Sequence, residues 1–238
     1  MKTQVMILSC NRQPMLTALI DRLLHPTGRR VDRILVYDDH SDPPIDLRSY
    51  GDAVQLWVAP KRHGRTEMWK LYKKMLQDAG NSDADIIAFL QDDLMVPRSF
   101  CDIIVDYHDT VAFNILQLML DINRDYTEPM WGIGKHETYQ DDNGDYYLCT
   151  QWVEMAFSCT RETAKRLGAE MRGPPADWFR TRDSSGTFCQ ISRAIHRLGE
   201  HVAVPPFSVV RHDGNQVSQL HQDARDRQPI ISKDYQDD

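Results

Sequence analysis

Apolar and polar residues alternate in blocks along the first half of the chain, and each block has a recognisable period. Four short apolar runs predict buried strands: QVMILSC (4–10), VDRILVYDD (31–39), AVQLWVAP (53–60) and DIIAFLQDD (85–93). Three segments between and after them have helical spacing: PMLTALIDRLL (14–24), TEMWKLYKKMLQDAG (66–80) and SFCDIIVDYHD (99–109). Because strands and helices alternate, the pattern predicts a parallel sheet with helices on both faces.

The second half of the chain has a looser pattern. FNILQLMLDI (113–122) fits a strand or a helix, and residues 128–147 predict a loop or hairpin around Asn143-Gly144. TRETAKRLG predicts a helix that ends before Gly168, and FCQISRAIHRLG (188–199) predicts another. A late strand pair is expected within residues 201–214, interrupted by two prolines. With no repeat or flexible linker in view, we expect one domain over 1–221 and a polar tail over 222–238.

Composition narrows the class of protein. A chain of 238 residues with 41% hydrophobic content can bury a sizeable core. No apolar run approaches the ~20 residues that a membrane helix needs, and MKTQVMILSC lacks a signal-peptide cleavage site. The cysteines are odd in number, five in all, and none has CxxC spacing. We therefore expect no membrane insertion, reduced thiols, a cytoplasmic location and no zinc knuckle.

Polar clusters follow three of the expected strands, at the edge where parallel sheets bind their ligands. They are Ser9-Cys10-Asn11-Arg12, Asp38-Asp39-His40-Ser41 and Gln91-Asp92-Asp93. Taken singly, these residues could cap a helix, form a turn or end a strand in solvent. Adjacent carboxylates at the end of a buried strand repel each other and lose hydration, a cost that a divalent cation would offset. Their convergence at one edge predicts a site.

Four segments of the sequence, spread over most of residues 3–220, resemble the GT-A glycosyltransferases, which use nucleotide sugars. They are VMILSCNRQPMLTALIDRLL (5–24), ILVYDDHSD (34–42), IIAFLQDDLMVPRSF (86–100) and PFSVVRHDGNQVS (206–218). The resemblance implies a single Rossmann-like α/β domain with a mixed, mostly parallel central sheet. It assigns residues 1–123 to the nucleotide-sugar half and residues 124–221 to the acceptor half. Gln91 departs from the first Asp of the family's DxD motif, and His40 stands where a Gly is usual.

The resemblance also implies roles for individual residues. Asp93 and His212 are expected to hold Mn²⁺ or Mg²⁺, which would bridge the diphosphate of a donor, a UDP-sugar being favoured. The residues expected to bind the nucleotide sugar are Ser9, Asn11, Arg12, Asp38, Asp39, Lys61, Gly64, Gln91 and Asp92. Among them, Asp39 would accept hydrogen bonds from the base or ribose, and Arg12 or Lys61 would meet the phosphates.

An inverting transfer needs a general base for the acceptor hydroxyl, and three acids are candidates: Asp183, Asp177 and Glu154. Asp183 is similar in place to the base of inverting GT-A enzymes, although it could instead cap the following helix. Retention of configuration would not need this base, and the residues leave both outcomes open. Trp131, Trp152 and Trp178 could stack on a sugar or a base, or simply pack.

The charge distribution bears on the acceptor. Residues 158–199 hold eight Lys/Arg against four Asp/Glu, whereas the whole chain has a net charge of −7. The basic surplus is either a solvated face or a surface for an anionic acceptor. Because the overall charge opposes nonspecific DNA binding, we expect a saccharide acceptor first and a hydroxymethylated pyrimidine in DNA second.

Three other classes of protein fit parts of the pattern. RILVYDDHSD (33–42) also resembles the acidic pocket of a response-regulator receiver, a phospho-switch, but receivers have their acid pair earlier and a late Lys. A metal-dependent nucleotidyltransferase would need a Gly-rich arginine loop, which SCNRQP (9–14) does not supply. Gln91 leaves room for a non-catalytic sugar-binding relative. Metal-dependent hydrolysis of a nucleotide sugar distinguishes the enzyme from all three.

Overall fold

The structure is a computed structural model that describes residues 1–111, 113–119, 137–140, 146–205 and 207–212. Its strands are β1 (Thr3–Ser9), β2 (Arg33–Asp38), β3 (Val54–Val58), β4 (Ile86–Gln91), β5 (Leu94–Met95), β6 (Ile115–Gln117), β7 (Glu137–Gln140), β8 (Tyr146–Thr150), β9 (Phe157–Thr160), β10 (Val202–Val204) and β11 (Arg211–His212). Its α-helices are α1 (Gln13–Leu24), α2 (Gly64–Gly80), α3 (Phe100–Thr110), α4 (Arg161–Glu170) and α5 (Thr187–Leu198). Short 3-10 segments cover Arg48–Ala53 and Trp178–Arg180.

Nine strands form one mixed sheet in the order β3-β2-β1-β4-β9-β6-β10-β8-β7. The first four pair in parallel, as in a nucleotide-binding Rossmann half. β9 lies antiparallel between β4 and β6, and β8 lies antiparallel to its neighbours β10 and β7. Since the other seven strands share one direction, the expected α/β fold with a mixed, mostly parallel sheet is confirmed. This sheet also differs from the 2-1-3-4-5 parallel order of a receiver.

Side chains alternate between two cores along β1, as the two-residue period of a strand requires. Val5 and Ile7 face the core that α1 and α3 cover. Met6 and Leu8 face the core that α2, α4 and α5 cover. The apolar run of a strand buried on both sides therefore follows from helices on both faces, as expected.

The segment TRETAKRLG forms a helix, but the helix does not stop before Gly168. α4 continues to Glu170, and Gly168 lies within it. A Cβ on Gly168 would come 3.0 Å from the backbone nitrogen of Gln77, and one on Gly80 would come 2.5 Å from the Cα of Lys165. These glycines let α2 and α4 approach closely, so Gly168 reflects packing rather than a helix end.

The second half of the chain contains one hairpin and several short strands. β7 and β8 form the hairpin expected near Asn143-Gly144, although the turn itself lies outside the described residues. β6 shows that part of residues 113–122 is a strand. Two late strands form as expected, but they do not pair with each other, because β10 lies between β6 and β8 and β11 pairs with β5. β9 was not predicted, because its four residues, FSCT, show neither an apolar run nor an alternation. Among the residues that the structure describes, no helix is long and apolar enough to cross a membrane.

Candidate active site

The carboxyl ends of β1, β2 and β4 bring the three predicted polar clusters to one edge of the sheet. Ser9 is paired in register with Asp38 of β2, and Leu8 is paired with Gln91 of β4. The backbone N–H of Asp92 also donates to the carbonyl oxygen of Leu8 over 3.0 Å, which extends the pairing by one residue. The convergence expected from sequence is therefore present.

Asp92 is held by β1 and by the turn that follows it. The Ser9 hydroxyl donates to its Oδ2 over 2.7 Å, and the Cys10 backbone N–H donates to the same oxygen over 3.2 Å. Arg12 Nη1 donates to its Oδ1 over 3.1 Å. Burial raises the pKa of Asp92 to about 6, with Arg12 opposing this and the neighbouring Asp93 charge adding to it.

Asp93 is tied to the same arginine and to a histidine that is distant in sequence. Arg12 Nη1 donates to Asp93 Oδ2, and His212 Nε2 lies 3.3 Å from that oxygen. His212 reaches this place because β11 pairs with β5, directly after the acids, with His212 opposite Leu94. Burial would raise the pKa of Asp93, but His212 and Arg12 outweigh it and hold that pKa below its usual value.

The chemistry of this cluster fits one divalent cation in part. Asp93 Oδ1 is buried and accepts no hydrogen bond from the described residues, which leaves it open to a ligand. One carboxylate and one imidazole suit Mn²⁺ better than Mg²⁺. Within the described ranges no group of three or more His, Cys, Asp or Glu converges as a metal site, so the remaining ligands would be diphosphate oxygens and water.

Asp38 and the turn after β2 are organised by short internal contacts. Both Asp38 carboxylate oxygens accept from the Ser41 N–H, over 3.2 and 3.0 Å, and one accepts from its hydroxyl over 2.5 Å. Asn11, at φ +56°, donates its backbone N–H to the Ser41 hydroxyl over 2.7 Å and accepts from the Asp42 N–H over 2.8 Å. His40 lies at φ +57°, which explains why a glycine would be usual there. Asp38 and Asn11 therefore shape the loop beside the cleft.

Asp39 holds the start of α2 against the strand ends. Its Oδ1 accepts from the His63 N–H over 2.7 Å, and its Oδ2 accepts from the Gly64 N–H over 2.8 Å. Gly64 lies at φ +59°, and a Cβ there would meet no atom within 4 Å, so open space lies before it. Lys61 is exposed, with Nζ 3.3 Å from Glu67 Oε2. The nucleoside contact expected of Asp39 stays a prediction.

Asp183, the first candidate base, lies against the start of α2. Its Oδ2 is 2.9 Å from Arg65 Nη2, and the Ser185 N–H donates to the Arg65 carbonyl oxygen over 2.8 Å. Its side chain is 75% exposed. The N-cap of α5 is Gly186, so Asp183 does not cap that helix. The loop that carries Asp183 is thus anchored to the helix whose first amides Asp39 binds.

The other two candidate bases are placed differently. Asp177 is exposed at the start of the 3-10 segment Trp178–Arg180. Glu154 is half-buried, and its N–H donates to Gln117 Oε1 over 3.0 Å. Since β9 starts at Phe157 opposite Phe89 near the end of β4, residues 154–156 lie at the same sheet edge as Asp92. Both acids keep their predicted role as alternatives.

Among the remaining predicted residues, Gln91 Nε2 is 3.5 Å from the hydroxyl of Tyr72, on the side of α2. Trp152 and Trp178 are buried and pack with Cys189. Trp131, the tail 222–238 and the sequence from Asp213 onward lie outside the described residues.

Sequence reasoning missed Arg65 and His63, which connect the strand ends to the acceptor half. A signal was available in KRHGRTEMW (61–69), whose basic residues stand between a strand end and a helix start. Their partners are Asp183 and Asp39, and neither pairing has a sequence spacing that indicates it.

Known proteins resemble this chain in structure but not in sequence. No protein-family model matches the chain, and no curated protein matches it in sequence. S. aureus TarS (residues 1–349) superposes with a TM-score of 0.59 at 12% identity, covering 88% of this chain and 60% of TarS. The complex of that fragment with UDP-GlcNAc gives 0.59 at 11% identity, covering 93% and 61%.

Mycobacterium tuberculosis glucosyl-3-phosphoglycerate synthase, in complex with Mn²⁺, UDP and glucosyl-3-phosphoglycerate, superposes with a TM-score of 0.54 at 15% identity, covering 92% of this chain and 73% of that one. The chain thus spans about 60% of the TarS fragment and nearly three quarters of the synthase. Identities this low establish the fold alone, and the fold is that of the GT-A glycosyltransferases.

Proposed function

We propose that the chain is a glycosyltransferase that moves a sugar from a nucleotide-sugar donor, a UDP-sugar being favoured, to an acceptor hydroxyl with inversion of configuration. The observation that carries the proposal is the cluster of Asp92, Asp93, Arg12 and His212 at the carboxyl ends of β1 and β4. In this fold that edge is where a nucleotide would lie. TarS with UDP-GlcNAc and the mycobacterial synthase with UDP share the fold and support the choice of donor.

Asp93 and His212 would hold Mn²⁺ or Mg²⁺, and Asp93 Oδ1 is the oxygen available for it. When bound, such a cation neutralises charge on the diphosphate leaving group as a Lewis acid. The Mn²⁺ of the mycobacterial complex supports this assignment. Arg12 now balances both carboxylates, so we expect its guanidinium to turn toward the donor phosphates when the site is loaded.

Other residues at this edge of the sheet would position the donor. The open space before Gly64 would let the sugar or phosphates approach the backbone closely. Ser9 and the Cys10 N–H fix Asp92, which keeps the adjacent Asp93 oriented. Asp38, Asn11 and Ser41 would form the wall for the nucleoside.

Asp183 would remove the proton from the acceptor hydroxyl. The pairing with Arg65 keeps the carboxylate beside the start of α2, and its exposure lets an acceptor reach it. Asp177 and Glu154 remain the alternatives. The acceptor is a saccharide by first preference, and an anionic acceptor, including a hydroxymethylated pyrimidine in DNA, is the second.

Calorimetric titration with UDP tests the donor site, with Mn²⁺ or Mg²⁺ present and again in EDTA. We expect binding that needs the cation, followed by slow metal-dependent hydrolysis of UDP-sugars when no acceptor is present. Tight binding of equal strength in EDTA would contradict the metal-bridge model. Binding without any hydrolysis or transfer over a panel of nucleotide sugars would favour a non-catalytic sugar-binding protein instead.

A further inference from the structure

Strand β3 has an open outer edge. It is the end strand of the nine-stranded sheet, and within the described ranges it pairs with β2 alone. Just after the strand, the Ala59 N–H donates to the Asp38 carbonyl oxygen of β2 over 2.8 Å. Since the backbone groups of successive residues point to opposite sides of a strand, the N–H and C=O groups of Val54, Leu56 and Val58 point outward.

β3 lacks the features that usually keep a free edge from pairing. Its five residues, VQLWV, include no proline, no glycine and no charged side chain. Leu56 is 37% exposed and Val58 is 49% exposed, on the same face as the buried Val54. Natural proteins usually protect an edge with charge, proline or a bulge, because open N–H and C=O groups pair with another strand. The composition of β3 therefore indicates that another strand pairs with it.

The strand is complementary to itself. If two copies of β3 run antiparallel with Leu56 at the two-fold axis, Leu56 faces its own copy and Val54 faces the second copy's Val58. Each of these facing pairs then exchanges both of its N–H···O bonds. The exposed apolar side chains meet on one face, beside a groove of about 490 Å³ that Ile45 and Leu47 also line. The pairing thus satisfies the open backbone groups and covers apolar surface together.

Charge at the two ends of β3 favours the same arrangement. Asp52 is exposed just before the strand, and Lys61 and Arg62 are exposed just after it. In the antiparallel pair, Asp52 of each copy would lie beside the basic residues of the other. Lys61 already lies 3.3 Å from Glu67, so Arg62 would contribute more of the attraction. A parallel arrangement would instead bring like charges together at both ends.

We propose that the outer edge of β3 is an interface between two copies of this chain, which pair antiparallel and form one continuous sheet across a two-fold axis. The interface is short, because β3 has only five residues. It is therefore smaller than the roughly 800 Å² per partner of a standard interface, and we expect a dissociation constant on the order of 10⁻⁵ M. The dimer forms at high protein concentration and dissociates on dilution.

Sedimentation velocity of the full chain, from about 1 to about 200 μM, tests the interface. We expect the average mass to rise from that of one chain toward twice that value. Leu56→Lys should weaken association by at least about 10-fold, because it places two lysines opposite each other at the axis. Phe179→Lys is the matched control, since Phe179 is 43% exposed but lies outside β3, and it should associate like the wild type. The melting temperature reports whether both variants fold.

Leu56→Cys tests the register. Facing residues of a hydrogen-bonded pair have Cα atoms about 5.5 Å apart, a distance that a disulfide spans. Mild oxidation should therefore convert this variant into a covalent dimer, with the wild type as control for cross-linking through its own cysteines. Gln55→Cys should cross-link far more slowly, because Gln55 would face the second copy's Trp57.

Three outcomes would overturn the interface. The first is a chain that stays monomeric over the whole concentration range, as it would if another segment of the same chain covered β3. The second is association of Leu56→Lys that is as strong as that of the wild type, which would place the contact on another surface. The third is equal cross-linking of Leu56→Cys and Gln55→Cys, which would contradict the antiparallel register.

Discussion

At the scale of the residue, the proposed donor site is built on two buried carboxylates that share one arginine. Asp92 and Asp93 have side chains only 4% and 8% exposed, and one guanidinium, Arg12, serves both. Ser9 and the Cys10 N–H also bind Asp92, and His212 lies beside Asp93. Even so, Asp93 Oδ1 accepts no hydrogen bond from the described residues. Under the proposed function, this oxygen would bind the divalent cation.

Asp93→Asn tests the metal role with little change of shape. We expect turnover of a UDP-sugar to fall on the order of 100-fold, because the charge that would hold the cation is lost. The fold should persist, since Arg12 still pairs with Asp92. Steady-state kinetics and Mn²⁺-dependent UDP titration measure the effect.

His212→Ala is the companion variant, and it should weaken Mn²⁺ affinity by less than Asp93→Asn does, because a carboxylate contributes charge that an imidazole lacks. If Asp93→Asn retains nearly wild-type turnover, the assignment of the metal ligand is wrong.

Asp183→Asn tests the candidate base. A general base contributes about 10²–10⁴-fold, so kcat should fall within that range while UDP affinity stays unchanged. Asp177→Asn is the matched control, since Asp177 precedes it in the same stretch and is exposed without the tie to Arg65. A larger loss in Asp177→Asn or Glu154→Gln would move the role of base to that residue.

Residues at the strand ends could be foreseen from sequence, but their pairings could not. A buried strand that runs into polar residues locates Ser9, Asp92 and Asp93, because parallel strands present their carboxyl ends together. Whether Asp39 faces a ligand or the amides of α2 depends on how that helix docks. The same holds for Arg65 and Asp183, whose contact joins two residues more than a hundred positions apart in the sequence.

At the scale of the element, the antiparallel strand β9 connects the two halves of the sheet. It pairs with β4 on one side and β6 on the other, and its Ser158 is fully buried. His108 of α3 packs over it, with Nε2 2.9 Å from the Ser158 hydroxyl oxygen. A short strand of mixed composition carries no periodic signal, which is why sequence predicted the helices around it and not β9 itself.

His108 makes stability depend on pH. Burial lowers its pKa from 6.5 to about 4, so the unfolded chain binds the proton first as the pH falls. The part of the stability that depends on neutral His108 is therefore fully present above about pH 6.5 and is lost progressively toward pH 4, by about 3 kcal/mol. Urea unfolding of the wild type and His108→Gln between these pH values measures the difference in slope.

The exposed His25 provides the control, because His25→Gln should leave the pH dependence of the free energy of unfolding as it is in the wild type. If His108→Gln and the wild type lose stability in parallel between pH 6.5 and pH 4, the buried histidine is not the cause.

At the scale of the whole molecule, acidic and basic side chains gather in different parts of the fold. The carboxylates gather at the ends of β1, β2 and β4, whereas the guanidinium groups of Arg182 and Arg193 lie against Trp178. The loop that carries Asp183 joins these regions through Arg65. The sequence indicated a basic surplus in residues 158–199, but only the fold shows which of these basic residues pair with Glu170 and Glu200.

The net charge of −7 sets the expectation for nucleic acid. Nonspecific DNA binding requires several cations that neutralise successive phosphates, and its strength falls steeply with salt. Here Arg166, Arg172 and Arg197 already pair with Glu200 or Glu170, which reduces the charge that they offer to a duplex. We expect binding to a labelled duplex weaker than about 10⁻⁴ M at about 200 mM salt, with only a slight gain at about 50 mM. Fluorescence anisotropy of the labelled duplex at the two salt concentrations measures this directly. Micromolar duplex binding with a steep salt dependence, together with transfer to hydroxymethylated duplexes, would instead favour DNA as the acceptor.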